Sequence, residues 1–174
     1  MHVRWLISAG TAAASIAHVA YAAQYMTIEQ AQKTAFPNAT QFVPLAEPDA
    51  TTTAALGAAV GWSPRIFDAR TNDAHLGYVI IDQVIGKSEL ITYAASIDAK
   101  GAVASIEILE YRESHGGEVR LAGWRKQFVG KTAADPVALN KDIENISGAT
   151  LSCQHLTEGV KRLLKYYEQS LAKA

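Results

Sequence analysis

Residues 76–111, LGYVIIDQVI-GKSE-LITYAASI-DAKGA-VASIEILEY, decide the fold. Three runs of strand length, 76–85, 90–97 and 103–111, are rich in Val, Ile and Tyr. Gly86-Lys87 and Asp98-Ala99-Lys100-Gly101 separate them, and the loop at 114–117 closes the third. Connections this short suit strands that fold back on their neighbours, so the segment predicts an antiparallel meander. Alternation is plainest in the third run, where Ile106 and Ile108 oppose Ser105 and Glu107. The first run is apolar on both faces, which predicts a central strand covered on both sides.

Working outward, Leu156, Val160, Leu163, Leu164 and Tyr167 recur at helical spacing and predict a long amphipathic helix from about 152 to 172. Lys161, Arg162 and Lys165 fall on its other face as a solvated surface. Leu121, Trp124 and Phe128 predict a helix ending at Gly130. Near the start, Thr27-Ile28-Glu29-Gln30 has the form of a capping box and opens a short helix that stops before Pro37. A second helix is expected from Thr51-Thr52-Thr53 through 54–60. The organisation read from the chain is a leader at 1–22, a helical segment at 23–62 and a main domain at 63–174. The class is α+β, with a long C-terminal helix.

With 174 residues, 49% hydrophobic and 19% charged, the composition is that of an ordinary globular domain. The net charge of −1 and the lack of any basic stripe argue against nucleic acid as a partner. Residues 1–22 combine His2 and Arg4, a mildly apolar Ala-rich middle and Ala20-Tyr21-Ala22, the form of a cleavable secretory signal. An uncleaved inner-membrane anchor is the alternative, although His18, Ser8 and Ser15 make this stretch a poor span. Removing it leaves 15 basic and 17 acidic residues, net −2. Cys153 is the sole cysteine, so no internal disulfide forms, and it reads as a small buried hydrophobe in the first helical turn. His75, His115 and His155 are scattered without ligand spacing, so no metal site is expected.

The chemistry concentrates where the last helix begins, at Glu144-Asn145-Ile146-Ser147-Gly148-Ala149-Thr150-Leu151-Ser152. A helix N-terminus offers unpaired N–H groups and a positive dipole, which suit a phosphate. Gly148 and Ala149 permit close approach to the backbone, and Thr150 offers an oxygen able to carry a phosphoester. The ordinary reading of the same residues is a Ser or Thr N-cap. His155, five residues after Thr150, points away from it on a helix, so no nucleophile-and-base pair for hydrolysis is legible.

The run Ser147-Gly148-Ala149-Thr150, followed by Leu151-Ser152, resembles the flavinylation signature of the FMN-binding domain family. That family includes the flavin-carrying subunits of sodium-translocating NADH:quinone reductase and Rnf-type complexes. The resemblance implies a twisted antiparallel sheet packed with helices, and FMN esterified through its phosphate to Thr150. It further implies a flavin transferase as partner, using FAD as donor and Mg²⁺ of its own. Ser147, Gly148, Ala149 and Ser152 would support the attachment. Glu144 stands where the family has Asp. A second match runs through Tyr111-Arg112-Glu113-Ser114-His115-Gly116-Gly117, where the family has Glu-Thr-Pro-Gly and a glycine turn. It places Glu113, Ser114, His115 and Gly116 beside the flavin ring, with Glu113 accepting backbone N–H bonds. Trp124, Phe128, Tyr78 and Tyr93 either flank the ring or belong to the core.

The function these readings imply is an exported, periplasmic electron-transfer flavoprotein between membrane or periplasmic donor and acceptor proteins, a carrier more than a stand-alone reductase. The alternative is a non-redox exported binding module that uses the same fold without flavin.

Overall fold

The computed structural model describes residues 23–173; the leader at 1–22 lies outside them. Six strands form one antiparallel sheet: β1 (Ala23–Gln24), β2 (Gln41–Leu45), β3 (Arg65–Thr71), β4 (Ala74–Ile85), β5 (Leu90–Asp98) and β6 (Val103–Tyr111). Their spatial order is β1-β6-β5-β4-β3-β2. The helices are α1 (Ile28–Ala35), α2 (Ala50–Ala55), α3 (Ala122–Arg125) and the 20-residue α4 (Thr150–Gln169). The α+β class and the curled antiparallel sheet are therefore as expected.

The meander 76–111 forms β4, β5 and β6, paired in sequence order. Along β4, Tyr78, Ile80 and Val84 join the core under α4, while Val79 and Ile81 join the smaller core under α1. Period-two alternation thus supplies two apolar faces, and β4 is covered on both sides. The α4 stripe of Leu156, Val160, Leu163 and Leu164 is buried at 1% exposure or less.

The structure differs from the sequence reading in several places. Residues 23–62 contain α1 and a shorter α2, and also the edge strands β1 and β2. The sheet therefore crosses the expected boundary at 62/63. Pro44 lies within β2, and its missing N–H is tolerated because β2 pairs on one side only. The helix expected around Trp124 is broken into a 3₁₀ turn (Gly117–Arg120), α3 and a second 3₁₀ turn (Lys126–Phe128). At α1, by contrast, Thr27 and Gln30 form the expected reciprocal capping box.

Trp124 and Phe128 are core residues in edge-to-face contact, with ring centroids 5.2 Å apart. Tyr93 and Tyr78 are buried as well. The Tyr93 hydroxyl donates to Asp82 at 2.8 Å, and the Tyr78 hydroxyl to the Leu171 carbonyl at 3.3 Å. Asp82, 4% exposed, also accepts from the Trp62 indole at 2.8 Å and from Arg162 of α4 at 3.1 Å. A buried carboxylate needs this many donors to offset its desolvation.

Candidate functional site

The motif is held from both sides before α4 starts. The Trp124 indole N–H donates to the Glu144 carbonyl at 2.7 Å, and the Gln127 side-chain oxygen accepts from the Glu144 N–H at 2.8 Å. Glu144 is thus fixed through its backbone while its side chain is exposed. A four-residue turn follows, closed by the Ala149 N–H to the Ile146 carbonyl at 3.0 Å. Gly148 occupies its third position at φ +86°, and nothing lies within 4 Å of where a Cβ would stand. Such a turn selects glycine by its positive φ, and the open space lets another molecule meet the main chain.

The N-cap differs from the ordinary reading. It is Ala149, and no side chain caps the helix. The first intrahelical N–H bond runs from Cys153 to Ala149 at 2.9 Å, so the preceding N–H groups point out of the helix end. The hydroxyls are used elsewhere. Thr150 is exposed, and its Oγ1 accepts from the Asn145 side-chain amide at 3.1 Å. That bond occupies one lone pair and leaves the Thr150 O–H to turn outward. Ser152 is 4% exposed and shares a 3.2 Å hydrogen bond with the Tyr111 hydroxyl. Ser147 is exposed.

The loop after β6 meets this helix end directly. The Tyr111 hydroxyl donates to the His115 carbonyl at 2.5 Å, so one phenol joins the loop to Ser152. Burial raises the Tyr111 phenol above its ordinary range, keeping it a neutral donor. Gly116 sits at φ +82°, where a Cβ would come 2.8 Å from the Tyr111 hydroxyl and 3.2 Å from Ser152 Oγ. Ser114 and His115 are exposed and bond to each other at 2.9 Å through Oγ and Nδ1.

Glu113 accepts backbone N–H bonds, but from a different segment than its own loop. Its carboxylate takes the N–H groups of Lys87, Ser88 (2.5 Å) and Glu89 (2.8 Å) in the β4–β5 turn. Desolvation pushes this carboxyl up, and the three turn N–H groups outweigh that and hold it below its ordinary value. Cys153 is fully buried, and burial raises its thiol, as fits a packing role. His155 binds the Ile85 and Gly86 carbonyls through Nδ1 at 2.7 and 3.0 Å, anchoring α4 to the same turn.

Loop and motif together line a cleft of about 650 Å³. Glu113, Ser114, His115, Gly116 and, from the motif, Gly148 form part of its wall, and Tyr25, Tyr111, Gly117, Glu118, Arg120 and Leu121 complete it. Its size falls within the roughly 300–1,000 Å³ of small-molecule sites. A larger recess of about 870 Å³ opens beside α1, and no motif residue lines it. Sequence reasoning missed Asn145, Tyr111, Tyr25 and Arg120. Asn145 and Tyr111 left a signal, since each lies inside a segment matched to the family, whereas Tyr25 and Arg120 left none. Among the described residues, no group of three or more His, Cys, Asp or Glu comes together to hold a metal ion.

An uncapped helix end, an outward hydroxyl, an open glycine turn and an adjoining cleft fit a phosphate-bearing ligand. Residues 86–165 match the family model of the FMN-binding domain. The resemblance carried by the motif is thus shown, from the β4–β5 turn through most of α4. One component of the Na(+)-translocating ferredoxin:NAD(+) oxidoreductase complex of Acetobacterium woodii is 25% identical over 118 residues. That alignment covers 62% of this chain and 56% of the relative, so the chain spans little more than half the relative's length.

Proposed function

We propose that the protein is an exported electron-transfer flavoprotein carrying FMN on Thr150 through a phosphoester. The observation that carries this reading is the exposed Thr150 hydroxyl, oriented by Asn145 at an uncapped helix N-terminus beside the loop-lined cleft. The family match supports FMN as the cofactor, and the relative's membership of an oxidoreductase complex supports electron transfer.

In the loading step the Thr150 oxygen forms a bond to the flavin-side phosphorus of FAD. The pyrophosphate bond breaks, AMP leaves, and the hydroxyl proton passes to solvent or to a base of the transferase. The resulting phosphate anion is stabilised by the free N–H groups and dipole of α4. The bound flavin supplies reversible redox chemistry at its ring, which the ester leaves untouched. Covalent attachment suits a carrier outside the cytoplasm, where a dissociated cofactor is lost by dilution. Its partners are then a flavin transferase and donor and acceptor proteins at the membrane or in the periplasm. Among the described residues no helix is long and apolar enough to cross a membrane. Export rests on the sequence pattern of 1–22.

Coexpression with a flavin transferase tests the assignment. The protein gives a denaturation-resistant fluorescent band, and its intact mass rises by one esterified FMN. Thr150→Ala abolishes both, whereas Ser147→Ala retains them. A fluorescent band that persists in Thr150→Ala overturns the proposal.

A further inference from the structure

Tyr25 and Arg120 stand together on the cleft wall, and neither belongs to the motif or to the loop that faces it. Tyr25 follows β1, ahead of the family-matched residues. Its N–H donates to the Leu109 carbonyl at 2.9 Å, which pins it to β6. Its ring is 46% exposed, unusually open for a large aromatic residue beside a sheet. The Arg120 guanidinium carbon lies 4.1 Å from the ring centroid, and Arg120 Nε donates to the Gly117 carbonyl at 3.0 Å. A guanidinium held both by a carbonyl and by an aromatic face is ordered, although Arg120 is exposed. No carboxylate pairs with it among the described residues. Of the two acids on the cleft wall, Glu113 is engaged by the β4–β5 turn, and Glu118 is exposed to solvent without an ion pair to Arg120.

We propose that the Tyr25–Arg120 pair is the wall against which the isoalloxazine ring docks. Tyr25 supplies the aromatic contact, and Arg120 supplies a fixed positive charge that favours the reduced ring. This rests on the reading that FMN is carried on Thr150. The chemistry follows from what a flavin needs: an aromatic surface for its face, and charge beside it to set how readily it takes electrons. A phenol packed against an excited flavin donates an electron to it and quenches its emission. A nearby cation lowers the energy of the ring's added negative charge. The N-terminal segment is therefore part of the cofactor site and not only an edge of the sheet.

The test uses the full-length protein loaded by the transferase, with loading measured first by intact mass. Tyr25→Phe keeps the ring and the fold while removing the electron-rich phenol, and flavin emission per loaded chain rises several-fold. Arg120→Gln lowers the midpoint potential, and Arg120→Lys restores most of it. Full loading with unchanged emission in Tyr25→Phe, or with unchanged potential in Arg120→Gln, overturns the wall and leaves the Thr150 attachment standing. Absence of flavin from the wild-type protein overturns both.

Discussion

Under the proposed attachment, Asn145 is the neighbour that bears most directly on Thr150, because its amide donates to the Thr150 oxygen. One neutral hydrogen bond is worth about 0.5–1.5 kcal/mol, so Asn145→Ala should slow flavinylation by roughly two- to tenfold. Its melting temperature should stay near that of the wild type, since both partners are exposed. Timed in-gel fluorescence measures the rate. Gly116 has the opposite character. Alanine there meets both a left-handed backbone and the Tyr111 hydroxyl, and should cost at least about 1–2 kcal/mol in urea denaturation. The proposal for Thr150 came from the motif's wording. Its freedom from capping was not legible in the sequence, because hydroxyls at a helix start normally serve as caps. Here Ala149 takes that position, and Ser152 turns inward to Tyr111.

Among the elements, the β4–β5 turn matters more than its length suggests. Glu113 binds three of its N–H groups, and His155 of α4 binds two carbonyls at its entry. The turn therefore ties the cleft loop to the helix. The folded-state carboxyl of Glu113 is depressed, so its contribution is present above the ordinary carboxylate range and is lost as pH falls through the lowered value. Glu113→Gln should be less stable than wild type by about 1–2 kcal/mol at pH 7. The gap should close as urea midpoints are followed to pH values below the ordinary carboxylate range, where the wild-type carboxylate also protonates. The long strands and α4 were readable because burial follows their periodicity. β3 was hidden by Arg65, Asp68 and Arg70. β2 was hidden by Pro44, and β1 by having only two residues. Such strands owe their conformation to the partner they pair with and not to local preference.

At the scale of the molecule, the apolar interface between α4 and the sheet encloses a polar knot at Asp82. Asp82 gathers Trp62, Tyr93 and Arg162 from a loop, a neighbouring strand and the helix. Asp82→Ala removes the shared acceptor and should destabilise the protein toward the low end of roughly 3–5 kcal/mol, since Arg162 keeps some solvent contact. Thermal unfolding followed by circular dichroism reads this. The meeting of loop and motif was invisible to periodicity, because the end of β6 and the start of α4 are adjacent through topology alone. Under the proposed attachment, the exposure of Thr150 also sets an order of maturation. The accepting oxygen stands outside the packed core, and both cores close without using it. Folding therefore precedes loading, and the purified, fully folded apoprotein should serve as acceptor when transferase and FAD are added afterwards. On that proposal, apoprotein made when flavin is scarce should stay folded and resist limited proteolysis until it is charged.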